Sequence, residues 1–359
     1  MRIGFVINPI AGMGGAVALK GTDGVLEEAI KRGARPIASK RAREFLKNLK
    51  GNIEFLTVSG KMGENILKEF EFPYKLVYNA PENTSAEDTK RAVKEFVKEN
   101  VRLIVFVGGD GTARDVVEIA DSKIPILGVP SGVKMYSSIF AVNPQKAAEV
   151  VVYFLEGKTK LMDSEVLDID EDAYRKNKLK IKLFAYAKTP YVEDLIQSSK
   201  SEYVGEEEEE DKKWIAEFFV ENMDRNTLYL LGAGTTVNKI AEVLGVEKTL
   251  LGVDALYNGK IIARDLSEND ILKLIDKYPK VKIVITPIGS QGFIFGRGNQ
   301  QFSERVLEKV GKENIIIVAT PRKIRELKKL RIDLENAQKF RGYYKVIVGY
   351  GKYKLMRVE

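Results

Sequence analysis

Short apolar runs rich in β-branched residues recur through the first part of the chain, at Ile3 to Asn8, Ile53 to Val58, Lys75 to Tyr78, Leu103 to Val107 and Ile126 to Val129. Two of them, IGFVI and LIVFV, are apolar at odd and even positions alike, as expected of strands covered on both faces in a parallel sheet. Segments of helical period lie between the runs. The clearest, Ala86 to Glu99, opens with a Ser85/Asp88 capping box and sets Val93, Phe96 and Val97 on one face. Strand and helix in alternation predict right-handed crossovers, hence a doubly wound α/β domain whose ligands bind beyond the carboxyl ends of its strands.

A helix from Pro144 to Glu156 closes this unit, and the pattern then changes. Residues 165–187 read as a strand, a charged turn and a second strand, which places the start of a second domain near Thr159. The acidic run at 206–211 leads into a helix with Trp214, Ile215, Phe218 and Phe219 on one face. It reads as a solvated helix start rather than a metal site. From Thr227 onward strands and helices alternate again, with a hairpin at Asn258 and Gly259, so the second domain is expected to be mixed α/β. A terminal hairpin turning at Gly349 to Gly351 is expected to pack back on the first domain. The resulting division is 1–158, 159–320 and 321–359, with no internal repeat.

With 359 residues, 44% of them hydrophobic, the chain can form more than one core. Cys and His are both absent. Thiolate and imidazole chemistry, disulfides and zinc sites built on those ligands are thereby excluded, which leaves carboxylate, Lys or Tyr for acid–base work and a hard, oxygen-ligated ion such as magnesium. No apolar run reaches the span of a bilayer, and the first residues lack a signal-peptide pattern, so a soluble cytoplasmic protein is expected. The 30% charged content without Cys resembles proteins of hot environments. A net charge of +7 favours an anionic partner. Nucleic acid is disfavoured, because Lys and Arg are interleaved with Glu along helices.

The segment LIVFVGGDGTARDVVEIA carries the strongest chemical signal. A buried strand ends at Gly108, and Gly109 and Gly111 let backbone approach a ligand. Thr112 opens a helix whose Val116, Val117 and Ala120 face the core. Such a turn presents amides to a phosphate chain. Asp110 is out of place there unless it takes a proton or stands beside a metal. A carboxylate near a terminal phosphate can serve as the base for an attacking hydroxyl; the plain alternative is an Asp that caps its own turn.

At GGDGT the sequence resembles the NAD kinase and diacylglycerol kinase superfamily, in particular its archaeal and acetoin-associated branch of ATP-NAD kinases. The resemblance implies that Asp110 is the base for the accepting hydroxyl. It extends to VINPIAGMGG, with Asn8 at a strand end and Gly12, Gly14 and Gly15 in a loop near the nucleotide, and to PILGVPSGVKMYSS, where Ser131, Gly132 and Lys134 would reach phosphate. Magnesium nucleotide would then sit on Gly108, Gly109, Gly111 and Thr112. ITPIGSQGFIFGRGNQQ is similar to the family's substrate segment at Thr286, Pro287, Gly289 and Ser290. Two departures stand out: no Asn-acid pair of the kind that holds ribose hydroxyls in this family follows the first strand of the second domain, and the family's second domain is a β-sandwich whereas this sequence alternates. The turn GAGTT, with Gly234, Thr235 and Thr236, resembles the phosphate loop of ribose-5-phosphate isomerase-type folds, or is a plain helix cap.

The resemblance implies an ATP- or polyphosphate-dependent NAD kinase that makes NADP, with nucleotide-bound magnesium and NAD held between the domains near Thr235, Thr236, Gly289 and Ser290; a homo-oligomer is expected. Two other readings share the motif. One is a kinase for a sugar, polyol or lipid hydroxyl, the lipid disfavoured for want of an amphipathic docking segment. The other is a dinucleotide-binding regulator without turnover.

Overall fold

The computed structural model describes residues 2–13, 30–31, 36–121, 123–131, 135–169, 181–192, 195–196, 206–289 and 291–359. The expected site residues Gly14, Gly15, Gly132, Lys134 and Ser290, and the charged turn at 170–180, lie outside the described residues. The chain forms two compact units: residues 1–13, 21–174 and 179–199 make up the first, and 14–20, 175–178 and 200–359 the second.

In the first unit, β1 (Arg2–Ile7), β2 (Glu54–Val58), β3 (Tyr74–Tyr78), β4 (Ile104–Gly108) and β5 (Ile126–Pro130) form one sheet in the order β3-β2-β1-β4-β5. Every neighbouring pair in it is parallel. The helices are α1 (Ile37–Asn48), α2 (Glu64–Glu69), α3 (Ala86–Lys98), α4 (Asp110–Ala120) and α5 (Pro144–Leu155). Odd and even strand positions feed different cores. Phe5, Ile7, Val105 and Val129 pack with Phe45 of α1 and Val151 of α5, while Val6, Phe106 and Ile126 pack with Phe96 of α3 and Val116 of α4. That sorting explains why IGFVI and LIVFV are apolar throughout: each strand has helices on both sides. The Ser85/Asp88 capping box on α3 is present as expected.

Strands β6 (Lys160–Ile169) and β7 (Ile181–Tyr191) form the antiparallel ribbon read from the sequence. The expectation that it opens the second domain differs from what is seen, since the ribbon belongs to the first compact unit. The tie is local. Ser137 Oγ accepts from the Leu167 amide at 2.9 Å, and the Glu165 amide donates to Ser138 Oγ at 2.8 Å. Val166 and Ala187 are buried in the core formed by α3 and α4.

The second unit comprises α6 (Glu206–Asn222), β8 (Leu228–Leu231), α7 (Thr235–Val243), β9 (Asp254–Tyr257), β10 (Lys260–Ala263), α8 (Glu268–Lys277), β11 (Val281–Ile285), β12 (Phe293–Phe295), α9 (Glu304–Val310), β13 (Ile315–Val318), α10 (Pro321–Glu326), β14 (Arg331–Ile332), β15 (Gly342–Gly349) and β16 (Lys352–Val358). Its seven-stranded sheet runs β10-β9-β8-β11-β13-β15-β16. β8, β11, β13 and β15 are parallel, with antiparallel pairs at both ends. Leu230, Ile283, Ile285 and Ile317 face α8, α9 and α10, whereas Leu231, Val284 and Val318 face Ile215 and Phe219 of α6 and Ile240 of α7. This is the mixed α/β domain that the alternation predicted, rather than a β-sandwich. Ile215 and Phe219 are buried, but Trp214, expected on the same face, is 46% exposed. The terminal hairpin also departs from expectation. β15 and β16 extend the second unit's own sheet, because β15 completes a parallel ladder beside β13 through Ile317 and Val318.

Candidate active site

The chain runs from β1 outward to β2 and β3, then returns to β4 and β5 on the other side of β1. The strand order therefore reverses between β1 and β4, and a crevice at their carboxyl ends is the expected place for a ligand. Asn8 follows β1 directly and Gly108 ends β4. Across that crevice Asn8 Nδ2 donates to Thr112 Oγ1 at 2.9 Å. Asn8 Oδ1 accepts from the Ile10 amide at 3.2 Å, which bends the chain at once into the turn that holds Gly12. Gly108 is required by packing: a Cβ there would stand 2.5 Å from the Thr112 side chain. Ser131, just past β5, donates its amide to the Gly108 carbonyl at 3.0 Å. It is 2% exposed, and its Oγ has no hydrogen-bond partner among the described residues. Asn8, Gly108, Thr112 and Ser131, chosen from three separate segments, thus meet at one place.

Asp110 is the first residue of α4, after the extended Gly109. Its carboxylate does not close its own turn. Oδ2 accepts from the Tyr136 amide at 2.8 Å and Oδ1 from the Ser137 amide at 3.0 Å. Burial pushes its pKa up from 3.8 to about 6; the Ser137 hydroxyl, the two amides and the Arg114 charge work in the opposite direction. A carboxylate has about four lone-pair directions, so these bonds leave acceptor capacity on both oxygens. Among the described residues, no hydrogen bond occupies the α4 amides of Gly111 and Thr112. They remain available to an anion at the positive end of the helix.

Tyr136 and Ser137, which the motif reading did not single out, are the residues that hold the Asp110 carboxylate. The fold brings both backbone amides, and the Ser137 hydroxyl, back to Asp110.

In the second unit, Gly234, Thr235 and Thr236 form the N-cap and first turn of α7. Thr286 follows β11, and its Cγ2 lies 2.4 Å from where a Cβ on Gly234 would be. Gly289, at φ 65°, has open space around its α-carbon. Asn299, not singled out by sequence, accepts from the Ala233 amide at 3.1 Å and so links the two glycine-bearing segments.

Among the described residues, no group of three or more acidic side chains is placed to hold a metal ion. Asp110 is the one carboxylate at the glycine turn, a donor set that fits an ion carried chiefly by nucleotide phosphates rather than a protein cage.

A crevice at a strand-order reversal, open amides at a helix start and one buried carboxylate lie together at the ends of β1 and β4. Residues 3–159 match the ATP-NAD kinase N-terminal domain, and residues 224–358 match the ATP-NAD kinase C-terminal domain. The chain belongs to the ATP-NAD kinase family. Membership implies an ATP-dependent kinase and NAD and ATP as ligands, generally with a divalent metal. No curated protein matches the chain. Among solved structures, the UDP-GlcNAc 2-epimerase of Neisseria meningitidis bound to UDP-GlcNAc is similar at 11% identity, over 93% of this chain and 77% of that one, with a TM-score of 0.22. The S. aureus MnaA-UDP structure is 12% identical over 94% and 76%, with a TM-score of 0.26. The UDP-GlcNAc 2-epimerase of Methanocaldococcus jannaschii is 13% identical over 93% and 79%, with a TM-score of 0.21. Scores this low establish neither a shared fold nor a shared ligand. Among the described residues no helix is long and apolar enough to cross a membrane.

Proposed function

We propose that this protein transfers the γ-phosphoryl group of ATP to the ribose 2′-hydroxyl of NAD, with Asp110 as the base. The acceptor oxygen forms a bond to the γ-phosphorus, the β,γ-bridging P–O bond breaks, and ADP departs with the electron pair. The hydroxyl proton goes to an Asp110 carboxylate oxygen. Magnesium bound to the phosphates would neutralise charge that develops on them. Amides of Gly111 and Thr112 and the Ser131 hydroxyl would hold the phosphate chain, with Asn8 fixing Thr112 and the turn at Gly12. The observation that carries this reading is the Asp110 carboxylate itself. It is buried among open amides, where a charge is costly, and burial pushes its pKa to about 6, so most of it is ionised at neutral pH yet basic enough to take a proton.

Asp110→Asn tests the assignment. A positioned base contributes about two to four decades of rate, so turnover is expected to fall by that factor while nucleotide affinity stays nearly intact. Turnover equal to the parent protein's would remove Asp110 from the chemistry. Polyphosphate as donor is tested in the same assay by replacing ATP.

A further inference from the structure

The second unit carries an exposed aromatic strip on its seven-stranded sheet. On the face that packs against α6 and α7, cross-strand pairs set Ile347 beside Tyr353, Lys345 beside Leu355 and Tyr343 beside Arg357. Ile347 is buried in the core with α6, whereas Tyr343, Tyr353 and Leu355 are each more than half exposed. Rings extend the strip onto α6: centroids lie 6.0 Å apart from Tyr353 to Phe218, 5.5 Å from Phe218 to Tyr350 and 6.4 Å from Tyr350 to Trp214. Tyr350 and Trp214 are exposed as well. Contiguous exposed surface of this kind, rich in Tyr and Trp, marks a contact surface rather than ordinary solvent-facing chain.

Charge is divided along the strip. At its α6 end the Glu221 carboxylate accepts from the Tyr350 hydroxyl, and Glu217 stands one turn earlier, 3.8 Å from Lys213. Among the described residues Glu221 has no cation within ion-pair distance. At the strand end lie Lys345 and Arg357, both exposed. Arg357 pairs with Glu359 at 3.3 Å, while Lys345 has no carboxylate within ion-pair distance among the described residues. A surface that is acidic at one end, aromatic in the middle and basic at the other is complementary to itself. Turned by a two-fold rotation about its middle, it sets Glu217 and Glu221 of one copy against Lys345 and Arg357 of the next.

We infer that two copies of this chain associate face to face through the strip formed by Trp214, Phe218, Tyr350, Tyr353 and Leu355, about a two-fold axis. Continuation of the sheet from one copy into the other suits the second unit less well. Part of the β16 edge is already taken: the Leu330 amide donates to the Arg357 carbonyl at 2.8 Å, and the Glu359 amide donates to the Leu330 carbonyl at 3.0 Å. The inference does not rest on the kinase reading, since the strip lies wholly on the second unit and shares no residue with the glycine turn at Asp110.

Trp214 is the chain's single tryptophan, so its emission reports on this strip alone. Sedimentation velocity of the full chain, from submicromolar to about 100 μM, should show a dimer, with Trp214 emission shifted to shorter wavelength in the dimer than in the monomer. Leu355→Asp should give a monomer with red-shifted emission and an unchanged far-ultraviolet dichroism spectrum. Glu217→Lys with Glu221→Lys should weaken association about tenfold or more, and adding Lys345→Glu and Arg357→Glu should restore it. Loss followed by rescue cannot come from misfolding, so the charge exchange decides the matter even if Leu355→Asp fails to fold. A monomer at every concentration would overturn the inference, and so would a dimer that these variants leave intact with Trp214 emission unchanged. Failure of the fourfold variant to recover the dimer would overturn the two-fold arrangement. A monomer whose Trp214 emission shifts only on adding phosphatidylserine vesicles would assign the strip to a lipid surface instead.

Discussion

The buried Asp110 carboxylate makes stability depend on pH in a way that can be measured without any substrate. Its folded pKa lies at about 6 against an ordinary 3.8. An acid whose pKa is raised on folding binds its proton more tightly in the native state. The native protein therefore gains from this group below about pH 3.8 and loses that gain as pH rises through 6. At 1.36 kcal/mol per pH unit, a rise from 3.8 to about 6 makes the loss about 3 kcal/mol between acid and neutral pH.

Asp110→Asn cannot ionise and escapes this loss. It keeps an acceptor for one of the two amides of Tyr136 and Ser137 but turns an NH2 group toward the other, at a cost of about 1–3 kcal/mol. The variant should therefore melt below the parent protein near pH 4 and draw level with or pass it at pH 7. For a unit of this size each kcal/mol moves the melting temperature by about 2–4 °C, so the gap should change by roughly 6–12 °C. Scanning calorimetry of both proteins across this range measures it. A gap independent of pH would show that Asp110 is not held ionised against burial, and the argument for a tuned base would fail.

Three further outcomes follow from the same site. If Asp110 must be ionised to accept a proton, kcat should fall about tenfold per pH unit below its pKa and level off above it; a pH–rate profile with no acid limb near pH 6 would contradict this. Ser131→Ala removes a buried hydroxyl without a partner, so it should not destabilise the protein, yet KM for ATP should rise several-fold; an unchanged KM would take Ser131 out of the phosphate site. Asn8→Ala frees Thr112 and loosens the turn at Gly12. Weaker ATP binding is expected with little change in NAD affinity, and titration of the two ligands separates these effects.

The parts legible in the sequence are those whose cause is local. The GGDGT turn needs Gly108 because Thr112, four residues on, occupies the space of its Cβ. The alternation of strands and helices fixed both sheets' character, since each buried strand has helices on two faces. What could not be read depended on distant segments. The partners of Asp110 include main-chain amides 26 and 27 residues away, which no side-chain pattern marks. The ribbon β6–β7 looked like the opening of a new domain, and hydroxyls of Ser137 and Ser138 decide otherwise. The alternation within residues 343–358 predicts a hairpin but not which sheet edge it joins; the ladder from Ile317 and Val318 to Val346 and Ile347 settles that. Asn299 carried no recognisable signal beyond a polar residue after a short apolar run, although it fixes the turn before α7.

The most direct trial of the central claim is to supply purified protein with magnesium ATP and NAD, and then locate any new phosphate by phosphorus NMR. A monoester on the adenosine ribose at the 2′ position, abolished in Asp110→Asn, is the result expected. No phosphorylated dinucleotide despite tight NAD binding, or product formed equally well without the Asp110 carboxylate, would contradict it.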